Sequence, residues 1–213
     1  MTRLTITGKG DKRIFTYPLM KVLALMGRTC IITDDIAYSR MFQAGTGAYE
    51  MVIESKKKKR TGKLYENMEV HIIPDMDRCS DIADLKESEG FDFVLFITDT
   101  ALPESDKYLV IASLKMDFLG VKVDEFLSLN EDKSIAVAVM STMSLNKKEW
   151  LKQGITPFTW TPARMMYPYV CEERRKLGEL KDKEIIPYLA SVFGPAINLK
   201  AVDFVKAEKH VLK

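Results

Sequence analysis

The sequence predicts a doubly wound, mostly parallel β-sheet flanked by helices. Strand-like runs recur along the chain, and the later ones are apolar throughout rather than alternating, as in Phe93–Ile97, Tyr108–Ala112 and Ile135–Met140. Continuous apolar runs of that length are the pattern of strands buried on both faces of a parallel sheet. Helix-like segments separate several of these runs, and strand–helix alternation is the signature of an α/β sheet. The chain also opens on a strand, a glycine-containing loop, a helix and a second strand with an acidic end.

Taken in order, Arg3 to Thr7 is an alternating β-run with its strand at Leu4–Thr7, followed by the loop Gly8-Lys9-Gly10-Asp11-Lys12-Arg13. A helix is predicted from about Thr16 to Met26, with Leu19, Val22, Leu23 and Met26 on one face. Thr16 is its expected N-cap, Pro18 fits its first turn, and Gly27 stops it. Thr29–Thr33 forms the next strand and ends on Asp34-Asp35. Strands are further predicted at Glu50–Glu54 and Val70–Ile73, with the basic run Lys56, Lys57, Lys58, Lys59 and Arg60 in a solvent-facing turn between neighbours. Ser80 to Gly90 reads as a helix capped by Ser80, with Ile82 and Leu85 at helical spacing. Val121 to Leu129, Lys147 to Lys152 and Met165 to Leu177 read as the remaining helices of the alternation. Beyond Leu177 the chain reads as polar and helical, interrupted by Pro187 and Gly194-Pro195, and residues 199–213 form an amphipathic tail.

With 213 residues and 46% apolar content, the chain can bury a full core, and a single domain over 1–213 is expected. Lysine and arginine number 32 against 30 aspartates and glutamates, a balance that does not mark a nucleic-acid binder. No apolar run is long enough to cross a membrane, and Arg3, Lys9, Lys12 and Arg13 follow no apolar segment of the secretory kind. The cysteines Cys30, Cys79 and Cys171 are odd in number and far apart, and only His71 and His210 accompany them. That leaves no zinc spacing, and a reducing, cytoplasmic setting is expected.

A strand–loop–helix opening places backbone N–H groups where they can cradle phosphate. The full phosphate-loop pattern is G-x-x-x-x-G-K-[ST], which this loop does not supply. The order of segments resembles the MinD/ParA family of deviant Walker A ATPases. The resemblance is carried by Leu4-Thr5-Ile6-Thr7-Gly8-Lys9-Gly10 through Gly27 to Asp34, by Gly90-Phe91-Asp92-Phe93-Val94-Leu95-Phe96-Ile97-Thr98, and by Tyr108 to Leu127. It implies a P-loop NTPase-like fold, a site for ATP and Mg²⁺ around Gly8, Lys9, Gly10, Lys12, Arg13 and Asp34, and dimerisation.

The departures from the family pattern bear on the chemistry. Aligned on Lys9-Gly10, the loop is about two residues short before Lys12. Lys12 then takes the place of the phosphate-reaching lysine, and Arg13 that of the hydroxyl residue that holds Mg²⁺. Asp11 replaces a glycine and brings a carboxylate toward the polyphosphate. Ile97 stands at the position of a second aspartate, although Asp99 lies two residues on and points the same way by strand parity. Metal-assisted phosphoryl transfer needs lysine and Mg²⁺ together, so the resemblance implies a degenerate, non-hydrolytic member without a catalytic residue, a metal or a required cofactor. The same residues also fit an ordinary βα loop with exposed basic side chains.

Two other segments are candidates for interaction. Lys56 to Arg60 suits an electrostatic contact with nucleic acid or anionic lipid, or simply a solvated turn. The cluster Phe158, Trp160, Arg164, Met165, Met166, Tyr167 and Tyr169 has the residue types enriched at protein interfaces, yet equally suits a cover over the sheet edge. In it, Trp160, Arg164, Met165, Tyr167 and Tyr169 are the expected interaction surface. The tail has Leu199, Val202, Val205 and Leu212 on one face, which suits either a membrane surface or packing on the domain itself. The function expected from the sequence is an interaction scaffold in a positioning or assembly system, with protein partners that include a second copy of the chain. A weak ATPase using Lys9 or Lys12 with Asp34 and Asp99, and a nucleic-acid-binding partition-type protein, are the alternatives.

Overall fold

The computed structural model describes residues 1–38, 49–52, 68–73, 76–115, 117–142, 147–151, 155–159, 161–162, 164–166 and 184–198. In chain order its elements are β1 (Thr2–Thr7), α1 (Arg13–Met26), β2 (Thr29–Thr33), β3 (Tyr49–Val52), β4 (Met68–Ile72) and α2 (Cys79–Ser88). There follow β5 (Phe93–Thr98), β6 (Lys107–Ala112), β7 (Asp117–Phe118), β8 (Val121–Lys122) and α3 (Val123–Ser128). The last are β9 (Ile135–Ser141), α4 (Lys147–Leu151), β10 (Ile155–Thr159) and α5 (Ile185–Phe193).

An eight-stranded sheet runs β10-β9-β6-β1-β5-β2-β4-β3. Every pairing in it is parallel except β3 with β4, so seven parallel strands end in one antiparallel edge. Side-chain alternation divides the strands between two layers. On one face α1 and α5 pack over Leu4 and Ile6 of β1, Leu95 and Ile97 of β5, and Leu109 and Ile111 of β6. On the other face two separate cores form. Val110, Ala112, Val137 and Val139 pack against Phe118, Val123 and Phe126, while Cys30, Ile32, Val94 and Phe96 pack against Cys79 and Ala83 of α2. Between these two cores β1 presents Thr5 and Thr7, both fully buried.

Several elements differ from the sequence reading, each for a physical reason. Helix α1 begins at Arg13 rather than Thr16 because the Asp11 carboxylate accepts the Arg13 N–H at 3.1 Å. Thr16 is therefore no cap; its hydroxyl is buried against the Tyr38 hydroxyl at 2.6 Å, and Pro18 lies inside the helix. Helix α2 buries Cys79, Ala83 and Lys86 and leaves Leu85 55% exposed. Lys86 turns inward, where its ammonium donates to Glu89 at 2.8 Å and pairs with the Glu69 carboxylate of β4 at 2.9 Å. The segment Val121 to Lys122 is a strand paired with Asp117–Phe118, and the helix starts only at Val123.

β10 contains Pro157 and lies at the sheet edge, where a residue without an N–H is tolerated. Residues Ile185 to Phe193 form an apolar helix rather than a polar one, with Pro187 in its first turn. There the missing N–H costs little. Among the described residues, no helix is long and apolar enough to cross a membrane, and no group of three or more His, Cys, Asp or Glu is placed to hold a metal ion.

Candidate functional site

Two connections that leave in opposite directions, on opposite faces of the sheet, meet beside β1. From β1 the chain passes through α1 on one face to β2, beyond β5; from β6 it passes through α3 on the other face to β9. In an open parallel sheet, connections that diverge this way leave a crevice at the carboxyl ends of the two strands, and ligands bind there. The loop from Gly8 to Lys12 forms one wall of the crevice, and the segment after β6 forms the other.

The loop is held against β6 by its glycines. Gly8 has φ +124°, and a Cβ placed on it would lie 2.3 Å from the Ile111 carbonyl oxygen. Both the backbone conformation and the close approach require glycine at this position. A Cβ on Gly10 would lie 3.2 Å from Ile111 Cγ2. The loop has no room to retain its course if either residue carries a side chain.

Lys12 points into this loop rather than out of it. The residue is 3% exposed, and its ammonium donates to Gly8 O at 2.9 Å, to Gly10 O at 3.3 Å and to the Asp99 carboxylate. An ammonium has three N–H donors, so these three acceptors use all of them. Asp99, just past β5, reaches Lys12 from the parity that Ile97 has, while Ile97 itself is buried in the core beneath α1.

Asp11 and Arg13 close on each other. The Arg13 guanidinium donates to Asp11 Oδ1 at 2.8 Å and to Oδ2 at 2.6 Å, a two-point contact. Because Asp11 Oδ1 also takes the Arg13 amide, the start of α1 carries a carboxylate supplied by its own chain. That carboxylate meets the positive end of the helix dipole. The residue after Lys12 is thus a paired cation with no oxygen to offer. The nearest hydroxyl in the first turn of α1, on Thr16, is spent on Tyr38. This arrangement does not fit a nucleotide-bound Mg²⁺.

Asp34 lies at the end of β2, one strand away from Asp99. Its Oδ2 accepts the Asp99 amide at 3.3 Å, while Oδ1 is buried without a hydrogen-bond partner. Desolvation pushes its carboxyl above the ordinary value of 3.8; the Asp99 amide and Lys12 oppose that shift, and the Asp99 charge adds to it. In register, Thr7 pairs with Thr98 across β1 and β5. The Thr7 hydroxyl is also buried without a partner, whereas Thr98 Oγ1 accepts the Thr100 and Ala101 amides. Lys12, Asp34 and Asp99 thus converge at the strand ends, and Lys9 is exposed and lines the β1/β6 crevice.

Of the expected interaction surface, Arg164 is not at the surface. It is 7% exposed, donates to the Thr159 carbonyl at 2.9 Å and pairs with Glu184 at 3.0 Å. These acceptors draw it inward, so it ties β10 to the start of α5. Met165 and Met166 are exposed, at 44% and 57%. Trp160, Tyr167, Tyr169, the run Lys56, Lys57, Lys58, Lys59 and Arg60, and the tail 199–213 lie outside the described residues.

One feature of the site was not anticipated from sequence: the hairpin of β7 and β8, which overhangs the crevice. Its turn is Leu119-Gly120, with φ +55° and +82°. Two-residue turns of this kind are announced by Asn-Gly or Asp-Gly, and a leucine in the first position conceals the signal.

No protein-family model and no curated sequence matches the chain. Among solved structures, the MinD cell division protein of Aquifex aeolicus aligns with 97% of this chain and 95% of its own, at TM-score 0.51 and 16% identity. An LpxK structure, also from Aquifex aeolicus and in complex with ATP, aligns with 65% of this chain and 48% of its own, at TM-score 0.36 and 12% identity. The alignment with MinD runs nearly end to end and establishes a P-loop NTPase-like α/β fold of the MinD kind.

Proposed function

We propose that this protein is a non-hydrolytic relative of the MinD/ParA ATPases that works as an interaction scaffold in a positioning or assembly system. The observation that carries the reading is the internal satisfaction of Lys12. Its donors go to two carbonyls of its own loop and to Asp99, where phosphoryl transfer requires a lysine free to meet phosphate beside Mg²⁺. The Asp11–Arg13 pair supports the same reading by placing a carboxylate at the start of α1. Neither ATP nor a metal is required on this reading. The partners are proteins, a second copy of the chain included, and self-association is independent of nucleotide.

Calorimetric titration with ATP and Mg²⁺ tests the proposal, together with phosphate release and light scattering with and without ATP. The expected result is no heat at ATP up to about 1 mM, no turnover, and an unchanged oligomeric state. Sub-millimolar binding that disappears in Lys12→Met overturns the proposal in favour of a weak ATPase. That second reading has its own support, since Lys12, Asp34 and Asp99 converge at the strand ends. It requires Lys12 to leave Asp99 when nucleotide arrives.

A further inference from the structure

A cavity of about 320 Å³ lies in the β1/β6 crevice, between the exposed Lys9 and the β7–β8 hairpin. We propose that this cavity binds a small monoanion with an apolar body, of the class of medium-chain carboxylates. This inference goes beyond the scaffold reading and does not depend on it.

The cavity has the size of a small-molecule site and occupies the place where open parallel sheets bind ligands. Ile111, Phe118, Leu119 and Met140 give it an apolar wall, and Lys9 supplies a positive charge at its edge. Asp117 also lines it, with its carboxylate accepting the Ser113 hydroxyl. A carboxylate in that position disfavours a polyanion such as a triphosphate, whereas one negative charge can pair with Lys9. An uncharged apolar molecule would fill the wall and leave Lys9 unused.

Leu119 provides an independent observation. It sits at φ +55°, a left-handed conformation that glycine, asparagine and aspartate adopt far more readily. Its side chain remains 43% exposed, so core packing does not compensate for the strain. The two-residue turn between Phe118 and Val121 takes positive φ at both positions, yet it uses leucine where asparagine or aspartate would fit with less strain. Strained residues of this type cluster at ligand sites, and Leu119 forms part of the cavity wall.

The test is calorimetry on the full chain with octanoate, octanamide and ATP with Mg²⁺ as probes. Octanoate is expected to bind with a sub-millimolar Kd, and octanamide at least tenfold more weakly. Lys9→Ala should weaken octanoate at least tenfold, and Leu119→Asn severalfold with no loss of thermal stability. Lys9 is exposed, so its removal leaves folding intact and a null result is interpretable. The inference is overturned if octanoate gives no heat, if octanamide binds equally well, or if Lys9→Ala has no effect. Lys12-dependent ATP binding alongside intact octanoate binding would remove the scaffold reading alone; silence from octanoate with ATP also silent would remove this inference alone.

Discussion

Asp34 holds a carboxylate whose Oδ1 is buried without a partner and whose Oδ2 accepts the Asp99 amide at 3.3 Å. Burial therefore penalises its charged form and raises its folded-state value above 3.8. With the folded value above the unfolded one, the folded state holds the proton more tightly between the two. Stability from this group is greatest below the unfolded value, falls as pH rises through the folded value, and the penalty is fully present above it. Asp34→Asn should accordingly raise stability at neutral pH and flatten that part of the curve. Urea unfolding of both proteins at several pH values between about 4 and 8 checks this; parallel curves would count against it. Lys12 is a different case, because its burial comes with three acceptors and its charge is compensated where it sits. The sequence shows both residues at expected positions along the chain, but not which of them has its partners.

Among the elements, the loop between β1 and α1 depends on glycine at one position above all. Gly8→Ala would place a methyl group 2.3 Å from the Ile111 carbonyl oxygen at φ +124°. The combined strain and clash should cost about 2–3 kcal/mol or more, read as a lowered urea midpoint with an unchanged slope. A loss smaller than about 0.5 kcal/mol would mean the loop can move away from β6. The strands were legible because burial on both faces leaves a continuous apolar run, and β2 matches its expected limits of Thr29 and Thr33. β10 was concealed by Pro157, and β7–β8 by Leu119 in a turn position usually given to asparagine. The start of α1 was misplaced because Thr16 is the better cap by residue type, while the cap contact actually made comes from Asp11.

At the scale of the molecule, a buried guanidinium helps to join the β10 edge of the sheet to α5. Arg164 reaches the Thr159 carbonyl in β10 and Glu184 at the start of α5, and its guanidinium lies 5.8 Å from the Phe158 ring centre. Phe158 packs in turn on Phe15 of α1 and on Tyr188 of α5. Arg164→Met should keep the apolar volume, lose the polar links and cost about 1–3 kcal/mol. Hydrogen exchange should then show earlier opening of β10 and α5, with β1 and β5 protected as before. Uniform acceleration across all strands would show that Arg164 does not act through this corner. The sequence singled out Arg164 through the company of aromatics and methionines, a composition that interfaces and internal joints share.

What the sequence determined by itself is the class of fold and the order of its parts. Buried parallel strands must be apolar along their whole length, and that constraint is written locally, residue after residue. It also determined that the loop between Thr7 and Arg13 departs from a phosphate loop, since that depends on which residues are present and in what number. The tertiary structure decided how the charges are used. Lys12 meets Asp99, 87 positions away, Arg164 meets Glu184 across a corner of the sheet, and the Leu119 hairpin overhangs the crevice beside Lys9. Pairings over such separations are fixed by strand order and register, which no local pattern records, so the site took its form only when the sheet brought those residues together.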